Sequence, residues 1–272
     1  MFHLRPIDSL DLPELAPYRT MKRPRDHEVQ GIFVAEGEKV ARRLLESQFT
    51  VVSALLPEKW VTDFEQLLRA RPEDVPVFVV RDKHLLESLV GFSMFQGVMA
   101  VGKIPAAVTL DAVISGSSKP RLLVAVDALT NAENLGVLVR NCVGFGAQAL
   151  LVGETCTSPF LRRAVRNSMG TIFQLPVVES PSLVDALRQL REKGVRCIAA
   201  HPRADGRTLS RANFTGDCCV VFGSEGYGIS EAVLEACGEA VAIPMPPAVD
   251  SLNVGSAAAV FLYEVNRQRG KA

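Results

Sequence analysis

Apolar and polar positions follow two different patterns along the chain, and the change between them divides it. Up to about residue 103, apolar runs predict strands at GIFVAEG, TVVSALL, VPVFVV and GVMAVGK, and amphipathic segments predict helices at EKVARRLLES and DFEQLLRA. Residues 1–30 are polar and contain four prolines. The pattern therefore predicts a small α/β domain over 1–103 with an irregular N-terminal extension.

The second half of the chain alternates strands and helices. Residues 103–120 hold two prolines and a Gly-Ser cluster, which predicts a linker over 104–120. Beyond it the periodicity predicts strands at 121–127, 148–152, 195–200, 218–223 and 240–244, and helices at 134–145, 159–168, 182–193, 230–237 and 253–267. This βα rhythm predicts that 121–272 is an α/β domain with a mostly parallel sheet covered on both faces.

Composition limits the classes of partner and location. The 30 basic and 30 acidic residues cancel, and 48% of the chain is hydrophobic, so any polyanion must be held by a local patch. We find no signal-like core and no long uncharged apolar stretch, and we expect a cytoplasmic protein without membrane contact. The six cysteines lack CxxC spacing and the four histidines are scattered, so we expect no metal site.

Three polar, glycine-containing segments each follow a strand-like apolar run. They are NAENLGVLVRN (131–141), FGSEGYGIS (222–230) and IPMPPAVDSLNVGS (243–256), which come after LLVAVDA, CVVFG and AVAIP. Ligands of open parallel sheets bind beyond the carboxyl ends of the strands. We therefore expect the three segments to form one composite pocket.

The first segment places one arginine away from the apolar side of a helix. The apolar stripe consists of Leu135, Leu138, Val139, Cys142 and Val143. Arg140 lies outside it, between Gly136 and Gly144, and Asn134 is in position to cap the helix. Glycines cost helix stability, so two of them beside one arginine indicate that something approaches the backbone there. A capped helix with a solvated arginine explains this segment equally well.

The second and third segments favour a bound ligand, although each also has a plain structural explanation. In the second, three glycines surround Glu225, and Ser230 is placed to cap the next helix. The order G-x-x-G-x-G is not the one a dinucleotide-binding turn needs. In the third, prolines exclude regular structure before a helix that exposes Ser251, Asn253 and Ser256 near its N-terminus. A glycine-rich turn and a tightly packed core helix are the alternatives.

Together the three segments resemble the signature motifs of the SpoU (TrmH) family of RNA ribose methyltransferases, in the SPOUT superfamily. The first motif's N-x-G-x-x-x-R core is present as Asn134, Gly136 and Arg140; the second reads G-S-E-G-x-G-I-S and the third I-P-M…S-L-N-V. The resemblance covers about 120–268. More loosely, 28–103 looks like the small substrate-binding domain of many members, as in FVAEGEKVARRLL. One departure is Gly255, where members often carry a serine, which leaves the role of Ser256 open.

The resemblance implies a trefoil-knotted domain that acts as a homodimer and methylates a ribose 2′-hydroxyl of structured RNA, with ribosomal favoured over transfer RNA. It implies S-adenosylmethionine as cofactor, held near Gly223, Ile243, Met245 and Leu252. Arg140 is then the assisting group, either as a fixed charge that stabilises the forming alkoxide or as a transient base. We favour the fixed charge, because arginine stays protonated. The orienting groups implied are Asn134, Glu225, Ser251 and Asn253.

Two basic clusters are candidate RNA contacts. Arg162, Arg163 and Arg166 share one helix face inside 155–178, a stretch without acidic residues, which suits phosphate binding or a solvated helix face. The second cluster consists of Arg19, Lys22, Arg23 and Arg25. With one Trp and three Tyr, no stacking platform is evident. The rival functions are a catalytically silent RNA-binding module of the same fold and a nicotinamide dehydrogenase, which the glycine order opposes.

Overall fold

The computed structural model describes residues 1–90, 97–202, 204 and 206–271. It divides the chain into two compact units. The first comprises Met1–Ala106 together with Phe160–Phe173, and the second comprises Ala107–Pro159 together with Gln174–Ala272.

The first unit is built on a five-stranded mixed sheet with the order β1-β4-β3-β5-β2. Strands β1, β4 and β3 are parallel, whereas β5 runs antiparallel to both β3 and β2. The strands are β1 Phe2–Ile7, β2 Ile32–Glu36, β3 Val51–Pro57, β4 Val75–Val80 and β5 Met99–Lys103. The helices are α1 Ala16–Arg19, α2 Pro24–Gln30, α3 Glu38–Glu46, α4 Val61–Arg69 and α5 Lys83–Val90, joined by α8 Arg162–Asn167.

Helix α8 and the chain around it pack on the β2 side of the first unit. Arg162 and Arg166 both donate to the carboxylate of Glu36, which lies at the end of β2 and is 5% exposed. On either side of α8, Phe160 and Phe173 stack or tilt against Phe33 and Phe49. Aromatic packing and a buried ion pair thus hold 160–173 against strand β2, which lies more than a hundred residues earlier in the chain.

The second unit is a six-stranded parallel sheet with the order β11-β9-β10-β6-β7-β8. Its strands are β6 Leu122–Val126, β7 Ala149–Val152, β8 Val177–Glu179, β9 Arg196–Ala200, β10 Cys218–Phe222 and β11 Gly238–Val241. Its helices are α6 Leu110–Gly116, α7 Ala132–Gly144, α9 Leu183–Glu192, α10 Glu231–Cys237 and α11 Val254–Gln268.

Both faces of this second sheet are covered, which explains why its central strands read as continuous apolar runs. Every residue of β6 and β10 is buried. Leu123 and Ala125 pack in a core with α6, α9 and α10. On α11, Phe261 packs edge-on against Phe222 of β10. A parallel sheet enclosed in this way needs apolar side chains on both faces of each strand.

The structure confirms the mixed α/β class and the parallel second sheet, and it differs from the sequence-based organisation in three places. The extension forms strand β1, which pairs in parallel with β4. The expected linker 104–120 contains helix α6, whose Leu110 and Val113 are buried in the second unit's core. The helix expected over 159–168 spans Arg162–Asn167 and belongs to the first unit. The longest described helix has 15 residues, and none has the length and apolar character needed to cross a bilayer.

Candidate active site

The three loops meet at the carboxyl edge of the second sheet. Strands β6 and β10 are paired in register, and beyond them the N–H of Asp127 donates to the carbonyl of Phe222 at 2.9 Å. The buried Asp127 carboxylate accepts from the N–H of Ser230 at 2.7 Å, so it ties the end of the second loop to the start of the first. Ser230 stands at the N-cap position of α10, but its side chain makes no capping hydrogen bond.

Helix α7 begins two residues earlier than the sequence predicts, and Asn131 rather than Asn134 is its cap. The Asn131 Oδ1 accepts from the N–H groups of Glu133 and Asn134, at 2.9 and 3.1 Å. The prediction that Asn134 caps the helix is therefore wrong, because Asn134 already lies in the first turn. Its side-chain amide is consequently available for a contact outside its own helix.

That contact is with Asn253, whose side chain joins all three loops. The Asn253 Nδ2 donates to Asn134 Oδ1 at 3.1 Å and to Glu225 Oε1 at 2.7 Å. The Asn253 Oδ1 accepts from the N–H of Gly255 at 2.9 Å and so caps α11. One amide thus uses its two donor hydrogens and its acceptor to hold residues of the first, second and third loops together.

Two glycines allow the loops to pack this closely. A Cβ on Gly223 would overlap the backbone of Gly228 and Ile229, because the loop folds back as a tight hairpin there. A Cβ on Gly255 would stand 2.6 Å from Cγ1 of Val137, so a glycine lets the start of α11 pack on α7. The departure from the family's serine at 255 is thus accounted for by packing, and Ser256 is exposed.

A cavity of about 410 Å³ lies beside these loops. The four residues expected to hold a cofactor, Gly223, Ile243, Met245 and Leu252, all line it, as do Glu225 and Ser251. Buried Phe222 and Phe261 give it apolar walls. Its size and its mixture of apolar walls with polar loop groups are typical of a small-molecule site.

The end of β9 also contributes to the cavity, through Ala200, His201 and Pro202, which the sequence analysis did not select. The signal that could have found them is topological. Strand β9 is the neighbour of β10 in the sheet, so the residues after it lie at the same carboxyl edge.

Arg140 lies in the second half of α7, with its side chain exposed to solvent. Among the described residues it makes no hydrogen bond or ion pair, and it is not part of the cavity wall. A Cβ on Gly144, one turn later, would meet open space. The structure therefore joins Asn134, Glu225 and Asn253 directly. Arg140 projects from the helix that carries Asn134 and has no partner in the described part of the chain.

The basic residues expected to contact RNA all lie in the first unit and fall into two groups. Arg19 donates to the carbonyls of Leu10 and Leu12, and Arg162 and Arg166 bind Glu36. The second group consists of Lys22, Arg23, Arg25 and Arg163, which are exposed, as Arg19 and Arg166 also are. Charge in the first group is already used to stabilise the fold, at least in part.

The cysteines behave as buried apolar residues. Five of the six are buried, and burial raises the pKa of Cys218 to about 11 and that of Cys237 to about 12, so both are protonated at neutral pH. Cys156, near the first loop, is half-buried, and burial raises the pKa of its thiol as well. In the described part of the chain, no three histidine, cysteine or acidic side chains converge as a metal site would require.

Known proteins are similar to this chain in both sequence and fold. The model of the SpoU rRNA Methylase family matches residues 121–263. The chain is 32% identical over 189 residues to the 23S rRNA (guanosine-2′-O-)-methyltransferase RlmB of Ralstonia nicotianae, with 69% of this chain and 76% of that protein covered.

Two solved structures extend the similarity to nearly the whole chain. The SpoU methyltransferase AviRb from Streptomyces viridochromogenes, in complex with the cofactor AdoMet, aligns with a TM-score of 0.81 at 25% identity and covers 96% of this chain and 100% of its own. An RNA 2′-O ribose methyltransferase aligns with a TM-score of 0.77 at 25% identity, with 99% of both chains covered. The chain belongs to the SpoU rRNA methylase family, the RNA methyltransferases that use S-adenosylmethionine.

Proposed function

We propose that the protein transfers a methyl group from S-adenosylmethionine to a ribose 2′-hydroxyl of structured RNA, with ribosomal RNA favoured over transfer RNA and the cytoplasm as its location. The observation that carries the proposal is the Asn253 amide, which joins Asn134 and Glu225 at the edge of the cavity. Support for the 2′-hydroxyl comes from RlmB and from the 2′-O ribose methyltransferase structure.

The cavity fits the cofactor by size and by chemistry. Ile243, Met245 and Leu252 offer apolar surface for a flat purine, and the backbone groups of the loop that begins at Gly223 offer hydrogen-bond partners. When bound, S-adenosylmethionine supplies an electrophilic methyl group. The task of the surrounding loops is to hold a ribose hydroxyl in line with it, which contributes through proximity and orientation.

Arg140 is the group we assign to the hydroxyl. A ribose hydroxyl is a very weak acid, and an arginine side chain stays protonated at ordinary pH. We favour a role as a fixed positive charge that stabilises the developing alkoxide, while a phosphate oxygen of the RNA takes the proton. Arg140 has no partner within the described ranges, which supports this role, since a guanidinium already bound to a carboxylate has less charge to offer. The alternative is transient action as a base.

The remaining site residues orient the loops and the substrate. Asn253 fixes the geometry of Asn134 and Glu225, and Ser251 presents a hydroxyl at the cavity wall. None of these side chains has to change its protonation state for methyl transfer.

We further propose a homodimer that uses the outer sides of α7 and α11. These helices pack together through Asn141, whose Nδ2 donates to the carbonyl of Gly255 at 2.6 Å. Val260 and Tyr263 of α11 are exposed, and Val137 of α7, which lies against Gly255, is still 38% exposed. Exposed apolar side chains on adjacent helices are a typical protein interface. Tyr263→Glu should shift the protein to a monomer in sedimentation, and an unchanged mass would contradict the interface.

For RNA selection we propose residues 1–103, with phosphate contacts from the clusters Arg19, Lys22, Arg23 and Arg25 and Arg162, Arg163 and Arg166. Arg23 and Arg25, which are exposed and make no ion pair with a described residue, are those best placed to contribute. Net charge is zero, so a local cluster is what could hold a polyanion.

The deciding experiment incubates the protein and S-adenosylmethionine with unmodified transcripts of 16S and 23S ribosomal RNA and of tRNA, and maps methyl groups by mass spectrometry. We expect ribose methylation at a defined nucleotide of ribosomal RNA. Methylation of a base would contradict the proposed acceptor. RNA binding without methyl transfer would favour the catalytically silent module, and binding of NAD without S-adenosylmethionine would favour the dehydrogenase.

A further inference from the structure

Tyr227 stands out as an aromatic side chain that the fold does not use. It is 97% exposed, although an aromatic ring offers 150–250 Å² of surface for burial. The other two tyrosines contact the protein more: Tyr18 is fully buried with its hydroxyl on Ser53, and Tyr263 is about half exposed. Because Tyr227 contributes so little packing, its ring is available for a ligand.

The loop that carries this ring has a closed, hydrogen-bonded backbone. Ser224 and Gly228 exchange two hydrogen bonds of 3.0 and 2.9 Å, and the N–H of Tyr227 donates to the Ser224 hydroxyl at 3.2 Å. Gly228 adopts a positive φ of 72°, and Gly223 allows the strand end to touch the returning chain. A tyrosine on a closed hairpin loses only two side-chain torsions on binding, so contact costs little entropy.

The loop connects the ring to the site residues. Glu225, two positions earlier, accepts from Asn253, which in turn donates to Asn134 at the start of the helix that bears Arg140. Tyr227 lines the cavity as well, while its exposure places the ring at the rim rather than among the walls. A ring at this rim is positioned to meet whatever approaches the methyl group from solvent.

We propose that Tyr227 stacks on a nucleobase of the RNA substrate, at or beside the nucleotide that is methylated, an inference that rests on the proposed function. Every base has a flat π-face, so stacking positions a nucleotide without reading its sequence. We favour a base of the RNA over the cofactor's purine as the stacking partner. The cavity walls Phe222, Ile243 and Phe261 already offer the purine an apolar surface.

The test measures the affinity of unmodified 23S and 16S ribosomal RNA transcripts by filter binding, with S-adenosylhomocysteine at saturation so that no chemistry occurs. Tyr227→Ala should raise Kd roughly tenfold, Tyr227→Leu should behave like alanine, and Tyr227→Phe should stay near wild type, since stacking needs the ring and not the hydroxyl. In turnover assays the alanine variant should raise KM for RNA and leave kcat nearly unchanged.

The matched control is Val249→Ala, which trims another exposed apolar side chain in the third loop and should leave Kd unchanged. Equal Kd values for Tyr227→Ala and wild type would overturn the inference. If Tyr227→Phe binds RNA as weakly as Tyr227→Ala, the contact is made by the hydroxyl and not by the ring. If Tyr227→Ala binds S-adenosylhomocysteine more weakly in calorimetry, Tyr227 belongs to the cofactor site. A change in sedimentation mass would indicate a protein contact instead.

The same binding measurement separates this inference from the proposed function. If Tyr227→Ala weakens RNA binding but mapping finds no ribose methylation, stacking stands and the proposed acceptor fails. If ribose methylation is found and Kd does not change, the acceptor stands and stacking fails.

Discussion

Helices α7 and α8 each carry arginines that look functional in the sequence, and the structure gives them different surroundings. On α7, Arg140 is exposed and has no partner among the described residues. On α8, Arg162 and Arg166 converge on the carboxylate of Glu36. A guanidinium that neutralises a buried carboxylate is needed by the fold, because its loss would leave that charge uncompensated, whereas an unpaired one can act on a substrate. We therefore expect an arginine's value for function to depend on whether the fold already supplies its counter-charge.

The largest expected effect is on methyl transfer by Arg140→Ala. If the side chain stabilises the forming alkoxide, the single-turnover rate should fall by about a hundredfold or more, the scale seen when one preorganised donor is lost. The free energy of unfolding should change by less than about 0.5 kcal/mol, since the side chain is exposed and pairs with no residue that the structure describes. Arg140→Lys should recover little, because it lacks the planar fork.

Rapid-quench methyl transfer, calorimetry of S-adenosylmethionine binding and urea unfolding together check this prediction. The matched control is Arg188→Ala, which removes an exposed arginine on α9 that pairs with exposed Asp185. Near-normal transfer by Arg140→Ala would remove Arg140 from the mechanism. Loss of cofactor binding would instead assign it to the cofactor site.

The second effect is on stability, through Glu36→Gln. This change leaves the Arg162 guanidinium, whose side chain is 14% exposed, without a counter-charge. Removing one partner of a fully buried ion pair lowers the free energy of unfolding by about 3–5 kcal/mol. Because Arg166 is about half exposed, we expect a loss of about 2 kcal/mol here. Chemical denaturation followed by circular dichroism measures it.

The control for that change is Glu58→Gln, which breaks the exposed pair with Arg81 and should cost less than about 0.5 kcal/mol. Equal losses for the two variants would mean that the Glu36 pairs stabilise no more than a surface pair does.

The difference between the two helices marks the limit of what the sequence predicts. The apolar stripe of α7 and the three polar segments after strands correctly placed the loops at one sheet edge, because periodicity and strand polarity are local signals. Arg162 and Glu36 are 126 positions apart, so their pairing follows from tertiary packing and leaves no local pattern. The lack of acidic residues in 155–178 therefore could not indicate that these arginines bind a carboxylate of β2.

The other differences between the prediction and the structure also have identifiable physical causes. Strand β1 was not predicted because four of its six residues are exposed, so it lacks apolar alternation and is specified by its ladder with β4. Asn131 and Asn134 are both good capping residues, and a capping preference alone does not choose between sites three positions apart. The junction at Asn253 required the fold, since its two partners lie 119 and 28 positions away.

The third effect tests that junction through Asn253→Ala. The variant loses the cap of α11 and the bonds to Asn134 and Glu225, so stability should fall by about 1 kcal/mol, the usual cost of a lost N-cap. Asn253→Asp should restore the cap. Because it places a carboxylate against Glu225, its methyl transfer should stay below that of the wild type. Recovery of full transfer by aspartate would show that the cap, and not the junction, is what the site requires.

The smallest expected effect is on RNA binding, and it compares Arg25 with Arg166, which is paired with a carboxylate. Arg25 is exposed and Arg166 is bound to Glu36, so Arg25→Gln should weaken RNA binding a few-fold, while Arg166→Gln should mainly lower stability. A phosphate contact releases about one counterion, so the slope of log Kd against log salt should fall by about one for Arg25→Gln and stay constant for Arg166→Gln. Filter binding of ribosomal RNA transcripts at several salt concentrations measures both slopes. If Arg166→Gln lowers the slope and Arg25→Gln does not, α8 contacts the RNA despite its ion pairs, and the contrast between paired and unpaired arginines fails for binding.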